Sequence, residues 1–301
     1  MSPLFVAALL VSTLFVASSA ATAANLYVSD SGSGNIYAFT PSGVRSTFAN
    51  ELSSPYGLAF DASGNLFAGD SGSGIIYKFT PKGVRSTFAT GLSWPNGLAF
   101  SASGNLFEAN NMSPFDQIYE FTPSGARSSF AANVSEPDGI AFDANGNLFE
   151  GDEAGRDDVS GSVYEFSPAG VRTTFATGLA DPGGLAFDAH GNLFEADFNA
   201  DTIYEFSPSG VKSTFASNLF APYGLAFDSK GNLFEADYFS GNIYEFTPSG
   251  IRSTFASGLN RPTFITFAPV PEPTTWLLAT LGASALALVR WRRRAPMCAD
   301  K

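Results

Sequence analysis

One phrase, P-x-G-[LI]-A-F-D-x-x-G-N-L-F, recurs with small variations along the chain, its first glycine at Gly57, Gly97, Gly139, Gly184 and Gly224. A degenerate copy, Arg261-Pro262-Thr263-Phe264-Ile265-Thr266-Phe267, puts Phe264 at the equivalent place, so the period is 40 residues apart from intervals of 42 and 45 after Gly97 and Gly139. A second phrase, [IV]-Y-x-F-[TS]-P-x-G-x-[RK]-[ST]-[ST]-F-A, also occurs six times, with its tyrosine at Tyr37, Tyr77, Tyr119, Tyr164, Tyr204 and Tyr244. Self-similarity at a fixed period means that one supersecondary unit is copied and that each copy buries its apolar face against the next.

Each unit holds four short apolar or alternating runs, typified by GLAF, NLFEA, IYEF and STFA, separated by turn chemistry. D-x-x-G-N (Asp61–Asn65) offers an Asp that bonds its own backbone and a Gly for the left-handed position, and T-P-S-G (Thr40–Gly43) pairs a preset proline with an exit glycine. Four-stranded antiparallel units of about 40 residues predict an all-β fold, a six-bladed β-propeller. Asn25–Asp30 aligns with the second strand of a unit and the orphan innermost strand lies at Phe264–Ala268. Pairing these closes the ring with one C-terminal and three N-terminal strands in one blade, and leaves no raw sheet edge. Of the 30 Phe, 23 fall at repeated places, so Phe reads as a blade-packing residue.

Both ends read as addresses. Residues 3–17 are apolar and precede the small-residue stretch SSAATAA, the pattern of a secretory signal peptide over residues 1–24. The propeller is expected over 25–269. Residues 270–301 contain Val270-Pro271-Glu272-Pro273, an apolar segment from Trp276 to Val289, and the cluster Arg290-Trp291-Arg292-Arg293-Arg294. The apolar segment predicts a short transmembrane helix whose arginines stay cytoplasmic. This order of parts resembles the PEP-CTERM sorting signal of Gram-negative bacteria, with Pro271, Glu272 and Pro273 as the sorting motif. The resemblance implies an exosortase-type processing enzyme as partner, and association with extracellular polysaccharide or an envelope protein. The expected address is the cell envelope or extracellular matrix, with anchorage in the inner membrane at least before processing.

Composition excludes several chemistries. The chain carries 28 acidic and 16 basic residues, and five of the basic ones lie beyond residue 289. Residues 25–269 therefore hold 26 acidic against 11 basic side chains, a formal −15, which argues against nucleic acid as a partner. The single cysteine, Cys298, precludes an internal disulfide, and the single histidine, His190, lies in a D-A-H-G-N turn. Glu108, Glu150, Glu195 and Glu235 recur on the second strand; repetition assigns them a structural or solvated role in preference to paired-carboxylate catalysis.

Departures from the repeat carry the functional signal. The residue between Pro and Gly varies as Tyr56, Asn96, Asp138, Gly183, Tyr223 and Thr263, and six such side chains should ring one mouth of the central channel. Two loops after the second strand are longer by two and five residues and are rich in oxygen donors: Asn110, Asn111 and Asp116 in one, Asp152, Glu153, Asp157 and Asp158 in the other. They are candidates for binding Ca²⁺, another divalent cation or a cationic ligand. Trp94, before Asn96, is a candidate for stacking on a sugar ring. The units resemble NHL-type repeats and the SMP-30/gluconolactonase propellers. That resemblance implies divalent-metal ligation by Asn96 of Pro95-Asn96-Gly97 and Asp138 of Pro137-Asp138-Gly139, although Tyr223 stands where the family places a Glu and Tyr56 where it has a further Asn. No catalytic residue is assigned. A non-catalytic binding or scaffold module is the leading expectation, and a metal-dependent lactonase-type hydrolase is the alternative.

Overall fold

The computed structural model describes residues 24–112, 116–132, 134–152 and 160–269. They form six four-stranded antiparallel sheets. The blade made of Pro55–Phe60, Leu66–Asp70, Ile75–Phe79 and Arg85–Ala89 is typical, running from the innermost strand to the outermost. Four further blades begin with innermost strands at Pro95, Pro137, Pro182 and Pro222. The remaining blade takes Leu26–Asp30, Asn35–Phe39 and Arg45–Ala49 from the start of the chain and Pro262–Phe267 from the end. Leu26 faces Phe267 and Val28 faces Ile265 across that seam, so the ring closes as the repeat phase requires. The signal peptide, the apolar tail segment and the sorting motif lie outside the described residues.

The phenylalanines pack between blades. Phe67 of a second strand meets Phe88 of its own outermost strand at 4.9 Å and Phe100 of the next blade's innermost strand at 5.0 Å, both edge to face. The same triad recurs around Tyr27, Phe107, Phe149, Phe194 and Phe234. Edge-to-face pairs contribute ~0.5–1.5 kcal/mol each beyond area burial, and here they act at every interface of the ring. Third-strand Phe39, Phe79, Phe121, Phe166, Phe206 and Phe246 are almost wholly buried beneath the preceding blade's outermost phenylalanine. On the outside, each repeat's Arg or Lys lies over its tyrosine, as Arg127 does over Tyr119 at 4.7 Å.

The innermost strands approach one another so closely that the Pro-x-Gly glycine has a steric cause. A Cβ on Gly97 would stand 2.2 Å from the Asp138 carbonyl oxygen, and one on Gly57 1.9 Å from that of Asn96. At the seam Phe264 takes the glycine's place, and there the Ser29 hydroxyl bridges the two blades: it donates to the Tyr56 carbonyl (2.5 Å) and accepts the Phe264 N–H (3.1 Å).

Candidate functional site in the channel mouth

Three columns of the repeat converge on a cavity of about 450 Å³ at the end of the ring where the innermost strands begin. From between Pro and Gly come Tyr56, Asn96, Asp138 and Tyr223; from just before the proline come Trp94, Asp181 and Arg261; from just after the second strand come Asn111, Phe198, Tyr238 and Phe239. The expected ring of variable residues is thus partly realised. Thr263 instead turns inward, wholly buried beside Ser29, and Gly183 contributes no side chain.

A repeated latch holds the loops that carry these side chains. The residue ending each second strand accepts N–H bonds from the loop entering its own blade's innermost strand: Asp30 from Asn260, Asp70 from Ser53 and Ser54, Asn110 from Ser93, Asp152 from Ser135, Asp197 from Ala180 and Asp181, and Asp237 from Phe220. Asn110 and Asp152, expected as ligand-binding residues, are buried members of this latch and do not line the cavity. The next residue bonds back as well: Asn111 donates its N–H to the Trp94 carbonyl, Phe198 to Asp181 and Ser31 to Arg261. Trp94 and Arg261 are thereby held at φ 60°, a left-handed conformation that costs a non-glycine residue ~1–3 kcal/mol and aims both side chains over the mouth.

At the floor, Asp138 is 1 % exposed. Its carboxylate accepts the Asn96 Nδ2–H at 3.2 Å and a hydrogen bond from the Tyr223 side chain. Burial pushes its pKa up to about 7, opposed by the Tyr223 and Asn96 bonds and reinforced by the charge of Asp181. Asp181 is pushed up to about 6 by burial and by the charges of Asp197 and Glu136; its Oδ2 accepts Asn199 Nδ2–H at 2.8 Å. Aromatic rings wall this floor. Tyr223 lies 5.9 Å from Tyr56, 5.7 Å from Phe198 and 6.2 Å from Tyr238, while Phe198 also meets Phe239 at 5.7 Å.

The donor set does not fit a divalent cation. Asn96 presents its amide nitrogen, not its oxygen, to Asp138, and Tyr223 donates to the same carboxylate. Ca²⁺ takes six to eight oxygen ligands. Among the described residues, no cluster of three or more His, Cys, Asp or Glu is arranged to hold a metal.

Of the sequence-derived candidates, the cavity gathers Trp94, Asn96, Asn111 and Asp138. Asp116 is elsewhere, its carboxylate accepting backbone bonds from Met112 and Glu136. Glu153, Asp157 and Asp158 lie outside the described residues. His190 sits in the turn between Phe187 and Leu193, at the end of the blade opposite the cavity. Sequence reasoning missed Asp181, Phe198, Tyr238, Phe239 and Arg261. Their signal was available, since the columns before Pro and after the second strand vary as freely as the one between Pro and Gly.

Residues 269–294 match the PEP-CTERM protein-sorting motif. The motif marks the chain for export and membrane-anchored sorting in a Gram-negative bacterium and implies processing by an exosortase-type enzyme. No curated protein matches the chain. Among solved structures, a nidogen/laminin complex contains a chain 22 % identical, with TM-score 0.74 over 82 % of this chain and 98 % of that one. A gluconolactonase from Xanthomonas campestris is 16 % identical, TM-score 0.66, over 82 % and 95 %. A virginiamycin B lyase from Staphylococcus aureus is 17 % identical, TM-score 0.58, over 71 % and 77 %. At these identities the likeness is one of fold, and it agrees with the six four-stranded blades described above.

Proposed function

We propose that this protein is an exported, non-catalytic saccharide-binding module that attaches to extracellular polysaccharide through the channel mouth. The observation that carries the reading is the pairing of a rigid aromatic wall with a polar floor in one open cavity. Flat faces of sugar rings pack on Tyr, Trp and Phe, while Asn and Asp fix the hydroxyls. The strained, doubly bonded loops under Trp94 and Arg261 favour binding too, because a pre-organised surface loses little conformational entropy on contact. The alternative, a divalent-metal lactonase, rests on the resemblance of Pro95-Asn96-Gly97 and Pro137-Asp138-Gly139 to that family's metal-ligand positions.

Titration of the full chain with oligosaccharides released from the producing cell's matrix tests the reading. Saturable binding is expected, weakened about tenfold by Trp94→Ala and again by Tyr238→Ala, with melting temperatures unchanged. Lactone hydrolysis that appears on adding Ca²⁺ or Zn²⁺ and vanishes in Asp138→Asn would replace this reading with the enzymatic one.

A further inference from the structure

The cavity's charge and the glycine beside Asp138 point to one class of sugar. Building on the saccharide-binding reading, we propose that the mouth selects a hexosamine with a free, protonated amine, the ring lying on the aromatic wall and the ammonium between Asp138 and Asp181.

Three observations carry this. The floor holds two carboxylates, and the cavity's cation is Arg261, on the exposed rim, which forms no ion pair among the described residues. An acidic sugar would thus meet one rim guanidinium but two floor carboxylates, on a domain of formal charge −15 that repels polyanions at long range and gathers cations. Second, Gly183 stands where other blades place a side chain. A Cβ there would lie 3.7 Å from Asp138 Oδ2, so glycine leaves that oxygen without a side chain packed on it. Third, Tyr56, Tyr223, Phe198 and Tyr238 line the same cavity with π-systems, whose faces attract a cation brought within ~6 Å of a ring centroid. A neutral sugar uses the wall alone; an ammonium uses wall and floor together.

The selectivity carries a pH signature. Asp138 faces Asn96, Tyr223 and Asp181, with Glu150 behind it; Asp181 faces Asp197, Glu136 and Asn199. Burial and the charges of the neighbouring carboxylates hold both carboxyls toward their protonated forms, against the Tyr223 and Asn96 bonds to Asp138, and a bound ammonium reverses that preference, so binding releases protons. Affinity for the amine should rise about tenfold or more between pH 5 and 7 as Asp138 ionises, whereas a neutral sugar should gain nothing.

The test is calorimetric titration of the full chain with a β-1,4-linked glucosamine trimer, its N-acetylated counterpart, a neutral glucose trimer and a lysine-containing tripeptide. We expect the free-amine trimer to bind at least tenfold more tightly than the other three at pH 7. That preference should be lost in Asp138→Asn and reduced by Gly183→Ala, whose Cβ meets only ordinary contacts, with the melting temperature measured alongside to show that the fold is kept. Equal binding of all three sugars overturns the amine selectivity and leaves saccharide binding standing. Binding of the peptide in preference to the glucosamine trimer overturns the sugar assignment, and binding of no sugar at any pH removes the saccharide reading itself.

Discussion

Asp138 shows how a single residue turns a structural position into a chemical one. Its five counterparts in the ring are Tyr56, Asn96, Gly183, Tyr223 and Thr263, none of which carries a carboxyl group, yet all six occupy the same strand position. Burial opposes its ionisation, and the Tyr223 and Asn96 bonds offset part of that cost. With a folded pKa of about 7 against an unfolded value near 3.8, the folded protein holds a proton that the unfolded chain has lost. The associated stability is fully present below pH ~4 and is lost as pH rises to about 7. Denaturant unfolding across that window should therefore show a falling contribution that Asp138→Asn removes. Tyr223→Phe should extend the decline to higher pH, since it deletes an interaction that favours the carboxylate. A wild-type and Asp138→Asn pair with parallel pH profiles would contradict the assignment.

The second strands raise the same issue for a whole element. Glu108, Glu150, Glu195 and Glu235 have no exposed surface, and neither carboxyl oxygen of any of them has a hydrogen-bond partner among the described residues. They are buried, not solvated. Their equivalents in the first two blades, Val28 and Ala68, pack into clusters with the preceding blade, so the column lies in the blade interfaces. Burial holds all four carboxyls well above the usual range, against the opposing pull of Arg127, Arg172, Lys212 and Arg252 respectively. A raised folded pKa means stability that is present in acid and lost as pH rises through it. The propeller should accordingly weaken toward alkaline pH, and replacing all four with Gln should flatten that loss while changing the melting temperature little near pH 5. Thermal melts from pH 5 to 9 decide it; a quadruple variant that loses stability with pH as steeply as the wild type would refute the role.

At the scale of the molecule, stability depends on a seam between chain ends. Asn25–Asp30 pairs with Pro262–Phe267, the Asn25 carbonyl accepts the Ala268 N–H, and Asp30 latches the loop at Asn260. Removing residues 25–30 strips the innermost strand Pro262–Phe267 of its partner and exposes two sheet edges, with loss of the Tyr27 aromatic triad. The expected outcome is a broadened, lower unfolding transition with a reduced denaturant slope. A truncated protein that unfolds as sharply and as late as the intact one would show that the ring does not need its seam. Closure also matters to the site, because Arg261 and Tyr56 flank the seam and both line the cavity.

The amino-acid sequence alone determined the six-fold period, the four strands of each unit, the closing phase and the sorting signal, because each rests on local patterning repeated often enough to exclude alternatives. It also marked Asn96, Asp138, Trp94 and Asn111, through departure from the repeat. What only the tertiary structure decided was which varying columns meet. Asp181 and Phe198 come from one blade and Arg261 from the seam blade, 80 residues beyond Asp181, and only ring closure brings them around one opening with Asn96 and Tyr56. The same holds for Asn110 and Asp152. As acidic or amide residues in long loops they look like ligands, but the direction of neighbouring backbone N–H groups makes them latches. Burial separates the glutamates in the same way, since a strand pattern gives the face a side chain occupies while the next blade decides whether water reaches it.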